Sequence, residues 1–96
     1  MYKNALAIEL RVREIPFERE VPVPVFYRGE KIGETRLDFL IGTGPKVVLE
    51  AKAVEALAAI HTSQCISYLR ASGFRLAILV NFNVRRLVEG LKRIAL

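Results

Sequence analysis

The 96-residue sequence has no tryptophan, one cysteine, one histidine, one methionine and one aspartate. A lone cysteine, Cys65, excludes an internal disulfide and any zinc site built from several thiolates, and it suits a reducing, cytoplasmic compartment. A lone histidine, His61, excludes multi-histidine metal centres. No apolar run approaches the roughly 20 residues that a membrane span needs, and no charged segment followed by an apolar one opens the chain. No stretch is repetitive, low in complexity or linker-like. Acid is scarce in one form only: nine glutamates stand against a single aspartate, Asp38.

What is present is a composition of 52% hydrophobic and 26% charged residues, which reads as one globular domain. At this length a chain buries about 60–65% of its unfolded surface, enough for one sheet and one or two helices. Any active site must therefore be built on the core itself. Fifteen lysines and arginines outnumber ten acids, leaving a formal charge of +5. The excess is arginine, whose planar fork matches phosphate, so an anionic partner is favoured, and the composition fits either a nucleic acid or a merely solvated charged surface.

Along the chain, Ala5, Leu6, Ile8, Leu10 and Val12 interleave with charged residues, and Pro16 forbids continuation. An opening helix from Tyr2 to about Glu14 is predicted. Phe17 to Tyr27 alternates and is rich in valine, with Pro22 and Pro24 two apart, as in an edge strand. Arg28-Gly29-Glu30 turns into a second strand, Lys31 to Ile41, and the Gly42–Pro45 turn leads into a third, Lys46 to about Ala53. A helix from about Ala56 to Ser72 is expected to end at Gly73. The continuous run Leu76-Ala77-Ile78-Leu79-Val80 reads as a buried central strand between Arg75 and Asn81. The tail, Val84 to Leu96, fits either a helix or a short turn and an edge strand. The fold class is α/β (α+β): a single mixed sheet with flanking helices in the order helix, three strands, helix, strand.

Strand parity places Leu37, Phe39 and Ile41 on one face and Arg36, Asp38 and Leu40 on the other. On the third strand Val48, Glu50 and Lys52 share a face. Asp38 and Glu50 each lie six residues from Gly44, so a turn centred there sets them opposite each other with Cβ atoms about 5 Å apart. Two adjacent carboxylates repel unless a cation lies between them, and their oxygens suit Mg²⁺ or Mn²⁺ with a backbone carbonyl completing the set. Such a cation plus Lys52 is equipment for phosphodiester hydrolysis, the lysine orienting water or stabilising developing charge. The same residues also fit a cross-strand ion pair, Lys52 satisfying Glu50. On the second helix His61, Gln64 and Tyr68 form a polar stripe beside Cys65 and Leu69. Gln64 and Tyr68 fit either phosphate contact or an amphipathic helix with a half-buried tyrosine, while Cys65 reads as packing.

Asp38 followed by Glu50-Ala51-Lys52, in this order of elements, resembles the PD-(D/E)XK nuclease superfamily. Gln64-x-x-x-Tyr68 resembles the Q-x-x-x-Y element of its RecB-like exonuclease branch. Asn4 to Leu10, Val21 to Val25, Arg36 to Leu40, Leu49 to Val54, Gln64 to Leu69, Leu79 to Asn83 and Gly90 to Ile94 are together similar to the small bacterial and archaeal GxxExxY family within it. The resemblance implies a restriction-endonuclease-like core over residues 1–96 and Mg²⁺- or Mn²⁺-dependent cleavage of DNA or RNA. Asp38, Glu50 and the Ala51 carbonyl would be metal ligands, Lys52 the water-orienting group, and Gln64 and Tyr68 positioning groups.

Of the motif that names that family only the final tyrosine, Tyr2, is present, so the chain reads as a member lacking the first part of the N-terminal region. A first helix so short is expected to leave apolar surface that a homodimer would cover. Two other functions use the same composition. A non-catalytic nucleic-acid-binding module would rely on Arg70, Arg75, Arg85 and Arg86 as phosphate contacts, and a homo-oligomeric interaction module would use a sheet edge. The second has no need of an Asp-Glu-Lys cluster.

Overall fold

The computed structural model describes residues 1–84 and 87–96. Helix α1 (Tyr2–Val12) is followed by β1 (Phe17–Tyr27), β2 (Glu30–Ile41), β3 (Val47–Lys52), helix α2 (Ala59–Ser72), β4 (Leu76–Asn81), a 3-10 turn (Leu87–Gly90) and β5 (Leu91–Ala95). The five strands form one sheet in the order β1-β2-β3-β4-β5. All neighbours are antiparallel except β3 and β4, whose parallel pairing requires the crossover that α2 supplies. The expected fold class, a mixed sheet with flanking helices, is the one observed.

Local chemistry accounts for the turns. Arg28 and Gly29 both take positive φ, 50° and 81°, and join Tyr27 to Glu30 as a two-residue hairpin loop. That geometry matches the twist of the flanking strands. Pro22 and Pro24 fall on β1, an edge of the sheet where a missing N–H is tolerated. Gly73 ends α2 in the left-handed conformation and donates its N–H to the Leu69 carbonyl.

Two cores pack against opposite faces of the sheet. Cys65 and Leu69 of α2 meet Val23, Leu37, Leu40, Val48, Ala77, Leu79 and Ile94, whereas Ala7 and Leu10 of α1 meet Phe39, Leu49 and Val80. This corrects the expected alternation, because Leu37 and Phe39 lie on opposite faces rather than together. The β1–β2 ladder passes from Arg19 opposite Phe39 to Val21 opposite Leu37 without pairing Glu20 to Asp38, and Glu20 has φ 51°. With this pair left out of the ladder, both strands bend there and their alternation is broken. Phe17 therefore meets Phe39 on the α1 face, the rings tilted by 53° with centroids 5.8 Å apart, while Val21 joins the α2 face.

One further boundary differs from expectation, and one of the two alternatives left open for the tail is the one observed. Helix α2 starts at Ala59, three residues late, because Ala58 is extended and residues 54–58 are drawn into a loop. The tail is a strand rather than a helix: β5 pairs with β4 from Leu91 opposite Val80 to Ala95 opposite Leu76. Gly90 makes the entry possible, since a Cβ there would overlap the Asn81 carbonyl oxygen.

Candidate active site

The kink at Glu20 and Asp38 creates the site. The β2–β3 ladder runs through Ile41 opposite Val47, Leu40 opposite Val48 and Phe39 opposite Leu49, the register expected from a turn centred on Gly44. At the next pair side chains replace the backbone. The Asp38 N–H donates to Glu50 Oε1 at 3.1 Å, and the Ala51 N–H donates to Asp38 Oδ2 at 2.8 Å. Each carboxylate thus acts as a strand carbonyl would, and the two acids are fixed where the strands splay. Both are buried, Asp38 to 8% and Glu50 to 3% exposure.

Burial has an electrostatic consequence. Desolvation first, and the Asp38 charge second, push the Glu50 carboxyl up to about 7, although the Asp38 N–H bond and the Lys52 charge pull the other way. Crowding of this kind is what a shared cation relieves. The same desolvation, helped by the Glu50 charge, pushes the Cys65 thiol up to about 11. Cys65 is therefore an inert packing group beneath the site.

Lys52 lies two residues beyond Glu50 on β3, and its Nζ donates to Gln64 Oε1 at 2.8 Å. Gln64 therefore reaches the site through the lysine, an arrangement in place of the Lys52–Glu50 ion pair that the spacing also allowed. Tyr68 is half-buried and packs against the α2-side core. His61 is occupied as a cap: it stands at the third position of α2 and accepts the Ala58 N–H at Nδ1, 2.9 Å away.

Two residues central to the site were not singled out by sequence reasoning. Lys3 of α1 brings its Nζ to 2.8 Å from Asp38 Oδ1. That hydrogen bond raises the lysine above its ordinary value, against the opposing effect of burial, with the Asp38, Glu20 and Glu50 charges adding to the rise. The available signal was spacing, because Lys3, Ala7 and Leu10 share one helical stripe and the last two are buried. Asn81, at the end of β4, is 2% exposed. Its Oδ1 accepts the Val54 and Asn83 N–H groups and its Nδ2 donates to the Val54 carbonyl, tying down the chain just after Lys52. A single polar residue closing an apolar strand was the clue.

An open cavity of about 220 Å³ lies beside the acids, lined by Met1, Tyr2, Lys3, Ala51, Lys52, Ala53 and Phe82. The rings of Tyr2 and Phe82, stacked with centroids 5.2 Å apart, form part of its wall. Lys52 also borders a second cavity of about 460 Å³ with His61, Gln64 and Ser67, so both its sides are accessible. Two of the four expected arginine contacts lie elsewhere. Arg70 and Arg75 line a cavity with Gly73 and Leu96, at the end of the sheet where β4 begins. That is about 17 Å from Lys52 along β3 at 3.3 Å per residue. Arg85 and Arg86 lie outside the described residues.

Among the described residues no group of three or more His, Cys, Asp or Glu side chains gathers around one point. The donor set at Asp38, Glu50 and the Ala51 carbonyl is all oxygen, which fits a hard cation that keeps several waters, as Mg²⁺ does. That Lys3 already presents a cation to Asp38 Oδ1 is a further sign that the acids are built to hold positive charge.

A family model for the PD-(D/E)XK nuclease superfamily matches residues 1–94. No curated protein matches the chain. Among solved structures, one titled "Crystal structure of SSO0001" superposes with a TM-score of 0.73 at 22% identity, covering 98% of this chain and 48% of that one. The chain thus spans about half the length of that protein and shares its fold over that half. Among the described residues no helix is long and apolar enough to cross a membrane.

Proposed function

The chain belongs to the PD-(D/E)XK nuclease superfamily, and from that premise we propose that it is a nuclease using Mg²⁺ or Mn²⁺ to hydrolyse phosphodiester bonds of DNA or RNA at the Asp38–Glu50–Lys52 cluster. The observation that carries this reading is the exchange of backbone and carboxylate bonds between Asp38, Glu50 and Ala51, which fixes two acids side by side with Lys52 on the next outward position.

Asp38, Glu50 and the Ala51 carbonyl would hold the cation, which supplies Lewis acidity at the phosphoryl oxygen and a more acidic bound water. The chain's own groups do the rest. Gln64 holds the Lys52 ammonium at 2.8 Å, and Lys52 lines both cavities. There Lys52 orients the attacking water or neutralises charge developing on the phosphate. Tyr2 and Phe82 offer an aromatic wall to the sugar or base beside the phosphate. Asn81 keeps residues 52–54 in place, so Lys52 does not drift. We carry Tyr68 as a supporting group for Gln64, one helical turn away, Arg70 and Arg75 as phosphate contacts remote from cleavage, and Arg85 and Arg86 as further phosphate contacts.

We also place the chain in the GxxExxY subfamily, for which Tyr2 and the stretches around Asp38, Glu50 and Gln64 are the support. A cytoplasmic site fits the unpaired, buried Cys65. A homodimer would cover the exposed Ile8 and Val12 of α1; light scattering at micromolar concentration checks it.

The test of the central reading is incubation with single- and double-stranded DNA and RNA at millimolar Mg²⁺ or Mn²⁺. Cleavage by the parent that falls at least 100-fold in Lys52→Ala, with unchanged circular dichroism, is expected. No cleavage of any of these substrates would refute it.

A further inference from the structure

Lys3 occupies a place that few surface lysines do. It lies on the stripe of α1 that buries Ala7 and Leu10, so packing of the helix carries it to the sheet rather than into solvent. Its ammonium meets Asp38 Oδ1 at 2.8 Å, while the second oxygen of that carboxylate already accepts the Ala51 N–H. Both oxygens of Asp38 are engaged. The Lys3 side chain is 41% exposed against 12% for Asp38, and it borders the open cavity shared with Ala51 and Lys52. The ammonium therefore covers the carboxylate from the solvent side and has somewhere to go.

Building on the metal-site reading above, we propose that Lys3 is a resident counter-cation: it holds Asp38 Oδ1 in the metal-free protein, lowers the affinity of the site for divalent cations, and swings into the adjacent cavity when one binds. The physical reason is mutual exclusion. A divalent cation sits about 2.1 Å from a carboxylate oxygen. An ammonium 2.8 Å from that same oxygen would then lie within about 5 Å of it, where like charges in a partly buried site repel strongly. One of the two must leave, and the lysine is the flexible one. Displacing one charge-assisted hydrogen bond lowers metal affinity on the order of tenfold. Once displaced, Lys3 joins Lys52 on the wall of the cavity and adds a second ammonium facing a bound phosphate.

The experiment is calorimetric titration with Mn²⁺ alone, without nucleic acid, on the parent, Lys3→Met, Lys3→Arg and Lys46→Met. Methionine keeps the stem of Lys3 and removes its charge. Lys46 pairs with Glu18 at 3.3 Å, just ahead of β3 and at the far end of that strand from Lys52, so its variant controls for net charge. Lys3→Met should bind Mn²⁺ about tenfold more tightly, while Lys3→Arg and Lys46→Met stay within threefold of the parent. Without metal Lys3→Met should melt below the parent, and Mn²⁺ should raise its melting temperature more than it raises the parent's. If Lys3→Met is unfolded without metal, recovery of its circular dichroism at millimolar Mn²⁺ supports the proposal, and failure to recover overturns it. Equal or weaker binding by Lys3→Met, where the parent does bind, overturns this inference alone. Absence of binding by all four proteins removes the metal site and this inference with it.

Discussion

Replacing Glu50 with glutamine tests the electrostatics of the site most directly. Unfolded, this carboxyl titrates near 4.5; folded, burial and the Asp38 charge move it to about 7. Below pH 4.5 both states are protonated and the group leaves stability unchanged. Between the two values the unfolded chain releases a proton that the folded chain keeps, so rising pH favours unfolding, and above about 7 the full cost is present. At about 1.4 kcal/mol per pH unit, that cost is about 3 kcal/mol. It is a large share of the roughly 5–15 kcal/mol by which small domains are stable. Glutamine retains the oxygen that accepts the Asp38 N–H and cannot ionise. Urea denaturation in the absence of metal, at intervals from pH 4.5 to 8.5, should show the gap between Glu50→Gln and parent widening in the variant's favour up to about pH 8. Added Mn²⁺ should then stabilise the parent and leave the variant unmoved. Parallel stability curves for the two proteins would refute the account of Glu50 as a desolvated acid crowded by Asp38.

Three further outcomes are expected. Gly90→Ala should lower stability by about 1–3 kcal/mol in thermal melts, because its methyl overlaps the Asn81 carbonyl and forces backbone at the β4–β5 junction to move. Asn81→Ala strips partners from the Val54 N–H, the Val54 carbonyl and the Asn83 N–H; a loss of about 2–4 kcal/mol and a drop in nuclease rate, read by denaturation and cleavage assays, follow. Cys65, buried and pushed up to about 11, should resist maleimide at pH 7 for hours and react within minutes in 6 M urea, about the concentration that unfolds small domains; prompt labelling of the folded protein would contradict the packing described.

Much of the fold was legible because its cues are local. Pro22 and Pro24 mark β1 as an edge strand, Arg28-Gly29 supplies a hairpin loop and Gly73 stops α2, each through backbone constraints carried by one or two residues. The β2–β3 register was equally readable, since a turn symmetric about Gly44 sets Phe39 opposite Leu49 and carries Asp38 to Glu50. The start of α2 was not, because Ala58 is extended and the loop ahead of it is anchored at Val54 by Asn81, 27 residues away. For the tail the sequence left a helix and an edge strand both open, and the strand prevailed because β4 presents an open edge, not through any strong preference in Leu91–Ala95.

Sequence alone thus determined which chemical groups are available, one aspartate, an E-x-K strand and a glutamine on the following helix, and the strand pairing that brings the acids together. Tertiary structure decided how they are used. The bend at Glu20 and Asp38 turned a carboxylate that alternation would have sent to one face into the gap between two strands, where it bonds the Ala51 N–H. Packing of α1 then delivered Lys3 to that carboxylate across 35 residues of chain. No local pattern encodes such a meeting, because its energy comes from the burial of Ala7 and Leu10 against Phe39, Leu49 and Val80 and only its consequence is felt at Asp38.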